Sequence, residues 1–179
     1  MLAISYISYD KAFQAMDYQV KRTLQFMSQD ANSEMEVALQ KTETLVENLA
    51  ASLSVRDYTD EELRALLPAL KSAQSGIDNI FVAFEDRRII DATGWRPLAD
   101  YNPTTREWYT RGKDSTGIAY TDLFESMSTK KVTVSVAQAI RVNGKVIGVV
   151  GADLDLDTVK KIAAKVKSGQ TGYAFVLDR

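Results

Sequence analysis

The sequence lacks two residue types altogether, because none of its 179 residues is cysteine or histidine. Without cysteine the chain has no disulfide, thiolate metal site or cysteine nucleophile. Without histidine it lacks the commonest general base, the commonest zinc ligand and the usual haem ligand. Serine-triad hydrolases, zinc hydrolases, haem sensors and cysteine-adduct flavin sensors therefore each lose a central residue. We expect neither a metal nor a cofactor.

An excess of one charge sign and long apolar runs are also missing. The 22 basic and 24 acidic residues give a formal net charge of −2. This balance provides no electrostatic footprint for nucleic acid or for anionic lipid. No run of 18 or more apolar residues occurs, so the sequence predicts no membrane-spanning helix. Its length suits one ordinary domain plus an extension.

Glycine is absent from residues 1–75. Apolar or small residues recur there at a mean spacing of about 3.6 residues from Phe13 to Leu49, which predicts one helix over residues 6–54. Such a helix would be about 70 Å long, more than a compact domain of this size needs. We favour a stalk or dimerisation helix, and a helix lying on a larger partner domain is the alternative.

The pattern changes to short strands after Gly76. Thr59 and Glu62 have the spacing of a capping box, so a second helix is predicted to start there and to stop by Gly76. The Asn143-Gly144 pair is typical of a two-residue hairpin turn. Strands are predicted over residues 78–84, 87–92, 118–122, 131–142 and 145–154, with further helices over 106–112 and 155–168. Five strands with an antiparallel hairpin and helices at the edges indicate an α+β fold.

Residues 100–109 concentrate the side chains suited to binding a small anion. Arg106 can hold a carboxylate through two parallel hydrogen bonds, the indole of Trp108 is a donor, and the phenols of Tyr101 and Tyr109 can donate while excluding water. This set contains no nucleophile and no general base. The alternative is a surface loop whose aromatic rings fill the edge of the core.

A single aspartate lies inside a strongly apolar strand. Asp153 shares a face with Gly151, and the missing side chain of the glycine predicts room for a ligand or another backbone. A carboxylate buried in such a strand needs a compensating donor. We favour a role of Asp153 in ligand binding; capping of the next helix or pairing with an arginine is the alternative.

Several segments in order resemble the double Cache sensor domain of bacterial methyl-accepting chemotaxis receptors. The matching segments are Tyr101, residues 106–109, 132–136, 143–154 and 169–175. The resemblance implies a long helix and a membrane-distal module with a five-stranded antiparallel sheet like that of PAS domains. It divides the chain into a stalk helix at 1–56, the ligand-binding module at 57–168 and the start of a membrane-proximal module at 169–179.

The resemblance also implies a ligand and its contacts. In the branch that binds amino acids, a tyrosine, an arginine and a tryptophan surround the carboxylate, and a tyrosine and aspartates surround the ammonium. The matching residues are Tyr101, Arg106, Trp108, Tyr109 and Asp153. A further Tyr-x-Asp pair falls on Phe124 and Ser126 without a gap, or on Tyr120 and Asp122 after a shift of four residues, and both alignments stay open.

The function implied is that of a sensor for a small amino acid. Asp153 with Asp122 would favour a full amino acid, whereas Asp153 alone leaves room for a small organic carboxylate. An amine sensor and a ligand-free PAS-like module are further alternatives. An enzyme is not expected, because Asp122 and Asp153 have no recognisable catalytic spacing. The resemblance implies a periplasmic position in an inner-membrane receptor, attached to the membrane, and a homodimer formed through the N-terminal helix.

Overall fold

The structure is a computed structural model that describes residues 22, 33 and 36–157. The chain divides into two compact units, and the fold described below is that of the unit Ala38–Thr158. Three predicted segments lie wholly or largely outside the described residues: the module start at 169–179, the helix over 155–168 and the stalk helix. The division into 1–56, 57–168 and 169–179 stays a prediction.

A five-stranded antiparallel sheet forms the centre of this unit, in the order β2-β1-β7-β6-β3. A separate two-stranded hairpin consists of β4 and β5. The α+β fold with a five-stranded antiparallel sheet is therefore confirmed. The elements are α1 (36–55), α2 (Asp60–Ala73), β1 (Ile77–Phe84), β2 (Ile89–Asp91), a 3-10 helix (Pro103–Thr105), α3 (Glu107–Asp114), β3 (Ala119–Tyr120), β4 (Phe124–Glu125), β5 (Val132–Thr133), β6 (Ser135–Val142) and β7 (Lys145–Leu154).

Helices α1 and α2 cover one face of the sheet. The predicted capping box starts α2, because Thr59 Oγ1 accepts from the Glu62 backbone N–H at 3.2 Å and the Glu62 carboxylate accepts from the Thr59 N–H at 2.9 Å. The helix ends at Ala73, three residues before Gly76. Buried residues of this core include Val46, Leu49, Leu53, Leu63, Leu67, Ile80, Val82, Ile90, Val136, Ile140 and Val150. Burying this much apolar surface stabilises the sheet and fixes which face remains for α3.

Helix α3 packs on the opposite face, where a second cluster contains Phe81, Ala83, Trp108, Tyr109, Ala137 and Val149. Gly112 permits the close approach of this helix. A Cβ atom at Gly112 would lie 2.8 Å from Val149 Cγ1 and 3.1 Å from the Ala137 Cβ atom. The side chains near the start of α3 are thereby held close to the sheet.

Three predicted strands differ clearly from the observed ones, and the one predicted over 118–122 covers only Ala119–Tyr120. The strand predicted over 131–142 is interrupted at Val134, so that β5 pairs with β4 and only β6 joins the five-stranded sheet. The hydroxyl of Thr133 donates to the Leu154 carbonyl at 2.9 Å. In a continuous strand, a backbone N–H would donate to this carbonyl instead. The second strand covers only Ile89–Asp91, because Arg87 occupies the left-handed region with φ of 71°.

Within residues 22, 33 and 36–157, no helix combines the length and the hydropathy that crossing a bilayer requires.

Candidate functional site

A cleft of about 330 Å³, counting the open solvent at its mouth, lies on the α3 side of the sheet, next to the β4–β5 hairpin; it is called the cavity below. Its wall contains aromatic and aliphatic side chains with a few charged and hydroxyl groups, a composition typical of small-molecule sites. The lining residues are Phe81, Ile89, Asp91, Trp95, Tyr101, Arg106, Trp108, Phe124, Ser126, Met127, Ser128 and Asp153.

Arg106 stands at the N-terminus of α3, where it is the N-cap residue. The preceding 3-10 helix is fixed by Asn102, whose side-chain oxygen accepts from the Thr104 backbone N–H at 3.1 Å and from its hydroxyl at 2.8 Å. No hydrogen bond or ion pair involves the Arg106 guanidinium among the residues that the structure describes; its Cζ atom lies 6.0 Å from the Tyr101 ring centroid. The guanidinium is therefore available to an anionic ligand.

Aromatic rings surround this cationic end. The rings of Trp95 and Tyr101 meet edge to face with centroids 5.0 Å apart, and those of Phe81 and Trp108 do so at 4.8 Å. Burial raises the pKa of the Tyr101 phenol, although Arg106 and a hydrogen bond with Trp108 oppose that shift. The phenol thus stays a neutral donor at physiological pH.

Asp153 lies in β7, directly opposite Ser135 of β6 and Asn79 of β1. It is 1% exposed, and its Oδ1 accepts a 2.6 Å hydrogen bond from the Ser135 hydroxyl. Burial raises the pKa of Asp153 to about 6, while hydrogen bonds from Ser135 and Ser126 lower it and the charges of Asp91 and Asp78 raise it further. The described groups that shift the pKa of Asp153 are thus hydroxyl groups and carboxylates, which favours a cationic ligand group beside it.

Asp91 is a second carboxylate of the cavity that the sequence analysis missed. It is 6% exposed and ends β2. Its Oδ2 accepts from Asn79 Nδ2 at 2.6 Å, and its Oδ1 accepts from the Thr93 backbone N–H at 2.7 Å and from the Thr93 hydroxyl. An aspartate directly after two isoleucines was the available signal, because polar groups inside apolar strands need specific partners.

The two alignments that the sequence left open fall at different places around the β4–β5 hairpin. Phe124 and Ser126 line the cavity, whereas Tyr120 and Asp122 do not. Asp122 is on the surface, where Arg111 Nη2 lies 3.0 Å from its Oδ2. The hydroxyl of Tyr120 donates to Glu43 of α1. Burial raises the pKa of the Tyr120 phenol. The residues of the alignment without a gap therefore line the cavity, and a ligand role for either pair stays a prediction.

Tyr109 also lies outside the cavity lining. It is 1% exposed and its hydroxyl donates to Glu85 Oε1 at 2.9 Å. Because helical neighbours project about 100° apart, Trp108 faces the cavity while Tyr109 packs into the core beside it. Of the eight predicted site residues, the cavity brings together Tyr101, Arg106, Trp108, Ser126 and Asp153.

The space predicted beside Gly151 is occupied by protein. A Cβ atom there would lie 2.3 Å from Cε2 of Phe81 on the neighbouring strand. The glycine therefore admits an aromatic ring of the wall, and the ligand space lies beyond that ring.

The described part of the chain holds no cluster of three or more acidic, histidine or cysteine side chains suited to a metal ion. A sheet with helices on its faces and a mixed-charge cavity beside one of them define a small-molecule binding module. Residues 13–179 match the family described as the Cache domain. The chain belongs to the Cache domain family, and the resemblance to chemoreceptor sensor domains is confirmed. Cache domains of chemoreceptors bind ligands and are not catalytic, in agreement with the prediction that the chain is not an enzyme.

Curated relatives include methyl-accepting chemotaxis proteins. The chain is 31% identical over 134 residues to PctB of Pseudomonas aeruginosa, which covers 75% of the chain and 21% of PctB. It is 30% identical over 138 residues to McpG of Pseudomonas putida, covering 75% of the chain and 20% of McpG. The match thus spans about a fifth of the length of these two relatives.

Solved chemoreceptor ligand-binding domains share the fold. The domain of Pseudomonas fluorescens CtaA with L-serine superposes with a TM-score of 0.68 at 22% identity, covering 79% of this chain and 61% of that one. The ligand-binding domain of Mlp24 with asparagine gives a TM-score of 0.70 at 23% identity, covering 84% and 63%.

Proposed function

We propose that this chain is the extracytoplasmic ligand-binding domain of a transmembrane chemoreceptor and that it binds a free amino acid. The observation that carries the proposal is one cavity lined by both a guanidinium and a buried carboxylate, Arg106 and Asp153. The guanidinium has no hydrogen bond or ion pair within the described residues. A zwitterion has the complementary pair of charges. The chemotaxis relatives and the amino acids bound by CtaA and Mlp24 support the same conclusion.

In the proposed complex, the indole N–H of Trp108 is released from its hydrogen bond with Tyr101. Arg106 and this N–H then hold the ligand carboxylate, and Asp153 holds its ammonium. Alanine has six non-hydrogen atoms, and a ceiling of about 1.5 kcal/mol per atom gives about 9 kcal/mol, near a micromolar dissociation constant. Such affinity requires nearly every polar group of the ligand to be paired in a site that excludes water.

Calorimetry with a panel of amino acids tests the proposal. Arg106→Ala should weaken binding by over a hundredfold, because the ligand carboxylate would lose its partner. Arg111→Ala is the matched control, since Arg111 lies in the same helix and pairs with Asp122 and Glu107 outside the cavity. Unchanged affinity in Arg106→Ala would remove Arg106 from the site, and a panel without a binder would contradict amino-acid sensing.

A small organic carboxylate is the second candidate. Ser126 lines the cavity where the family resemblance implies an aspartate for the ligand ammonium. A ligand without an ammonium would need Arg106 but not an ionised Asp153. Propionate and lactate therefore belong in the same panel, and their binding in preference to alanine would favour this candidate.

We further propose that the receptor is a homodimer through its N-terminal helix and that ligand shifts that helix. Val37 is 48% exposed in the described part of this helix, and the chain contains no native cysteine that would interfere with disulfide crosslinking. Crosslinking of Val37→Cys should change between ligand-free and ligand-bound protein if a pre-existing equilibrium is shifted. An unchanged pattern would count against displacement of the helix.

A further inference from the structure

The charges that line the cavity do not balance for an ordinary zwitterion. Two carboxylates, Asp91 and Asp153, face one guanidinium, that of Arg106, among the described lining residues. With all three ionised, the wall carries one net negative charge. An amino acid with a neutral side chain adds no net charge, and a buried charge without a partner is costly.

The two carboxylates come from different strands of the sheet, β2 and β7. Asp91 pairs with Phe81 of β1, and Phe81 pairs with Gly151 of β7, two residues before Asp153. Two strand spacings and two residues along β7 place the Cα atoms of the two aspartates about 12 Å apart. One ammonium could contact both only if their oxygens were about 5.6 Å apart.

A chain of neutral polar groups separates the two carboxylates. Asn79 Nδ2 donates to Asp91 at 2.6 Å and to the Ser128 hydroxyl at 2.9 Å, and Ser128 Oγ lies 3.3 Å from Ser126 Oγ. Ser126 in turn lowers the pKa of Asp153 through a hydrogen bond. The cavity thus has two distinct anionic positions.

Asp91 has acceptor capacity left on its cavity side. A carboxylate accepts about four hydrogen bonds, and Asp91 receives three, two from Thr93 at Oδ1 and one from Asn79 at Oδ2. All three donors are neutral. In the described part of the chain, no lysine or arginine forms an ion pair with Asp91.

We propose that the ligand is an amino acid with a positively charged side chain and that Asp91 binds this second cation. The inference rests on the proposed function, in which Arg106 holds the carboxylate and Asp153 the α-ammonium. Lysine places its two amino nitrogens about 7.5 Å apart when fully extended, because six bonds separate them. With a hydrogen bond of about 2.8 Å at each end, it spans up to about 13 Å between two carboxylate oxygens. The positive side chain of such a ligand balances the net negative charge of the cavity wall.

Calorimetry on the unmodified chain compares L-lysine and L-ornithine with uncharged L-norleucine and with L-glutamate. Lysine or ornithine should bind at least about tenfold more tightly than norleucine, and glutamate should bind most weakly. Norleucine binding as tightly as both basic amino acids would overturn the inference while leaving amino-acid sensing intact. Failure of every amino acid would instead contradict the proposed function.

Asp91→Asn assigns the preference to this residue. The Asn79 amide can rotate so that its Oδ1, which is buried without a partner, accepts from the new amide. We expect the preference for lysine over norleucine to fall to about threefold or less, with norleucine affinity nearly unchanged. Thr93→Ala, which removes a hydrogen bond to Asp91 but keeps its charge, should retain the preference. Equal weakening of lysine and norleucine by Asp91→Asn would contradict the proposal, and the comparison on the unmodified chain tests it independently.

Discussion

The hydroxyl of Tyr109 donates a 2.9 Å hydrogen bond to Oε1 of Glu85, and the Lys113 ammonium lies 3.0 Å from the same oxygen. This three-residue contact ties α3 to the turn after β1. Tyr109→Phe removes one hydrogen bond, so it should lower the free energy of unfolding by about 1 kcal/mol and leave amino-acid affinity unchanged. Chemical denaturation and calorimetry check the two parts. If Tyr109→Phe lowered ligand affinity tenfold without changing stability, the Tyr109 phenol would belong to the ligand site.

The position of α3 depends on a glycine in contact with the sheet. Gly112→Ala would place a methyl group 2.8 Å from Val149 Cγ1, so we expect lower stability by roughly 1–3 kcal/mol and weaker ligand binding as α3 and Trp108 move outward. Gly117→Ala is the control, because no atom lies within 4 Å of its added methyl. Thermal unfolding and calorimetry of both variants make the comparison. Equal behaviour of the two would contradict the close approach.

Ligand affinity should depend on pH through Asp153. Burial raises its pKa to about 6, and the charges of Asp91 and Asp78 add to the shift, so the carboxyl is largely protonated at pH 5. Because an ammonium requires the carboxylate, amino-acid affinity should be about tenfold lower at pH 5 than at pH 7.5. Calorimetry at both values measures this, and Asp153→Asn should remove the dependence. A flat profile for the unmodified chain would contradict it.

As the pH rises, the stability of the ligand-free chain should fall, whereas ligand affinity should rise. The folded state binds the Asp153 proton more tightly than the unfolded state, whose pKa is near the ordinary 3.8. This contribution is fully present below about pH 4 and is lost as the pH rises through about 6. Urea unfolding across that range should show a loss of unfolding free energy that Asp153→Asn lacks. Subtracting the profile of Asp153→Asn removes the contribution of the other carboxyl groups, which both proteins share.

Substitutions of Ser126 and of Asp122, two polar residues on either side of β4, should differ in their effect on ligand affinity. Ser126→Ala removes a hydrogen bond that lowers the pKa of Asp153, so it should weaken amino-acid binding several-fold near pH 6. Asp122→Asn, on the surface beside Arg111, should leave affinity unchanged. Calorimetry of both variants at one pH is sufficient. The reverse order would support the alignment through Tyr120 and Asp122.

Local signals in the sequence predicted the elements that depend on local physics. The Thr59–Glu62 capping box and the Asn143-Gly144 turn each act within four residues, and both occur where the sequence places them. Parity along β7 predicted that Asp153 shares a face with Gly151, and the structure shows that this face is opposite the α1 core. The break at Val134 could not be predicted, because it depends on Thr133 bonding to Leu154, which is distant in the sequence.

The site was predictable where one segment carries several of its residues. Tyr101, Arg106 and Trp108 lie within eight residues and reach one cavity. Tyr109 belongs to the same segment, but only the packing of α3 against the sheet decides that it points into the core. Asp91 was missed because its role appears only when β2 pairs with β1.

The β4–β5 hairpin has its own pair of strands and shares no ladder with the five-stranded sheet, yet it supplies Phe124, Ser126, Met127 and Ser128 to the cavity wall. Residues in this loop can be exchanged without breaking a backbone bond of the scaffold. Substitutions in this hairpin, residues 124–133, can therefore change which ligand the cavity prefers while the five-stranded sheet stays the same.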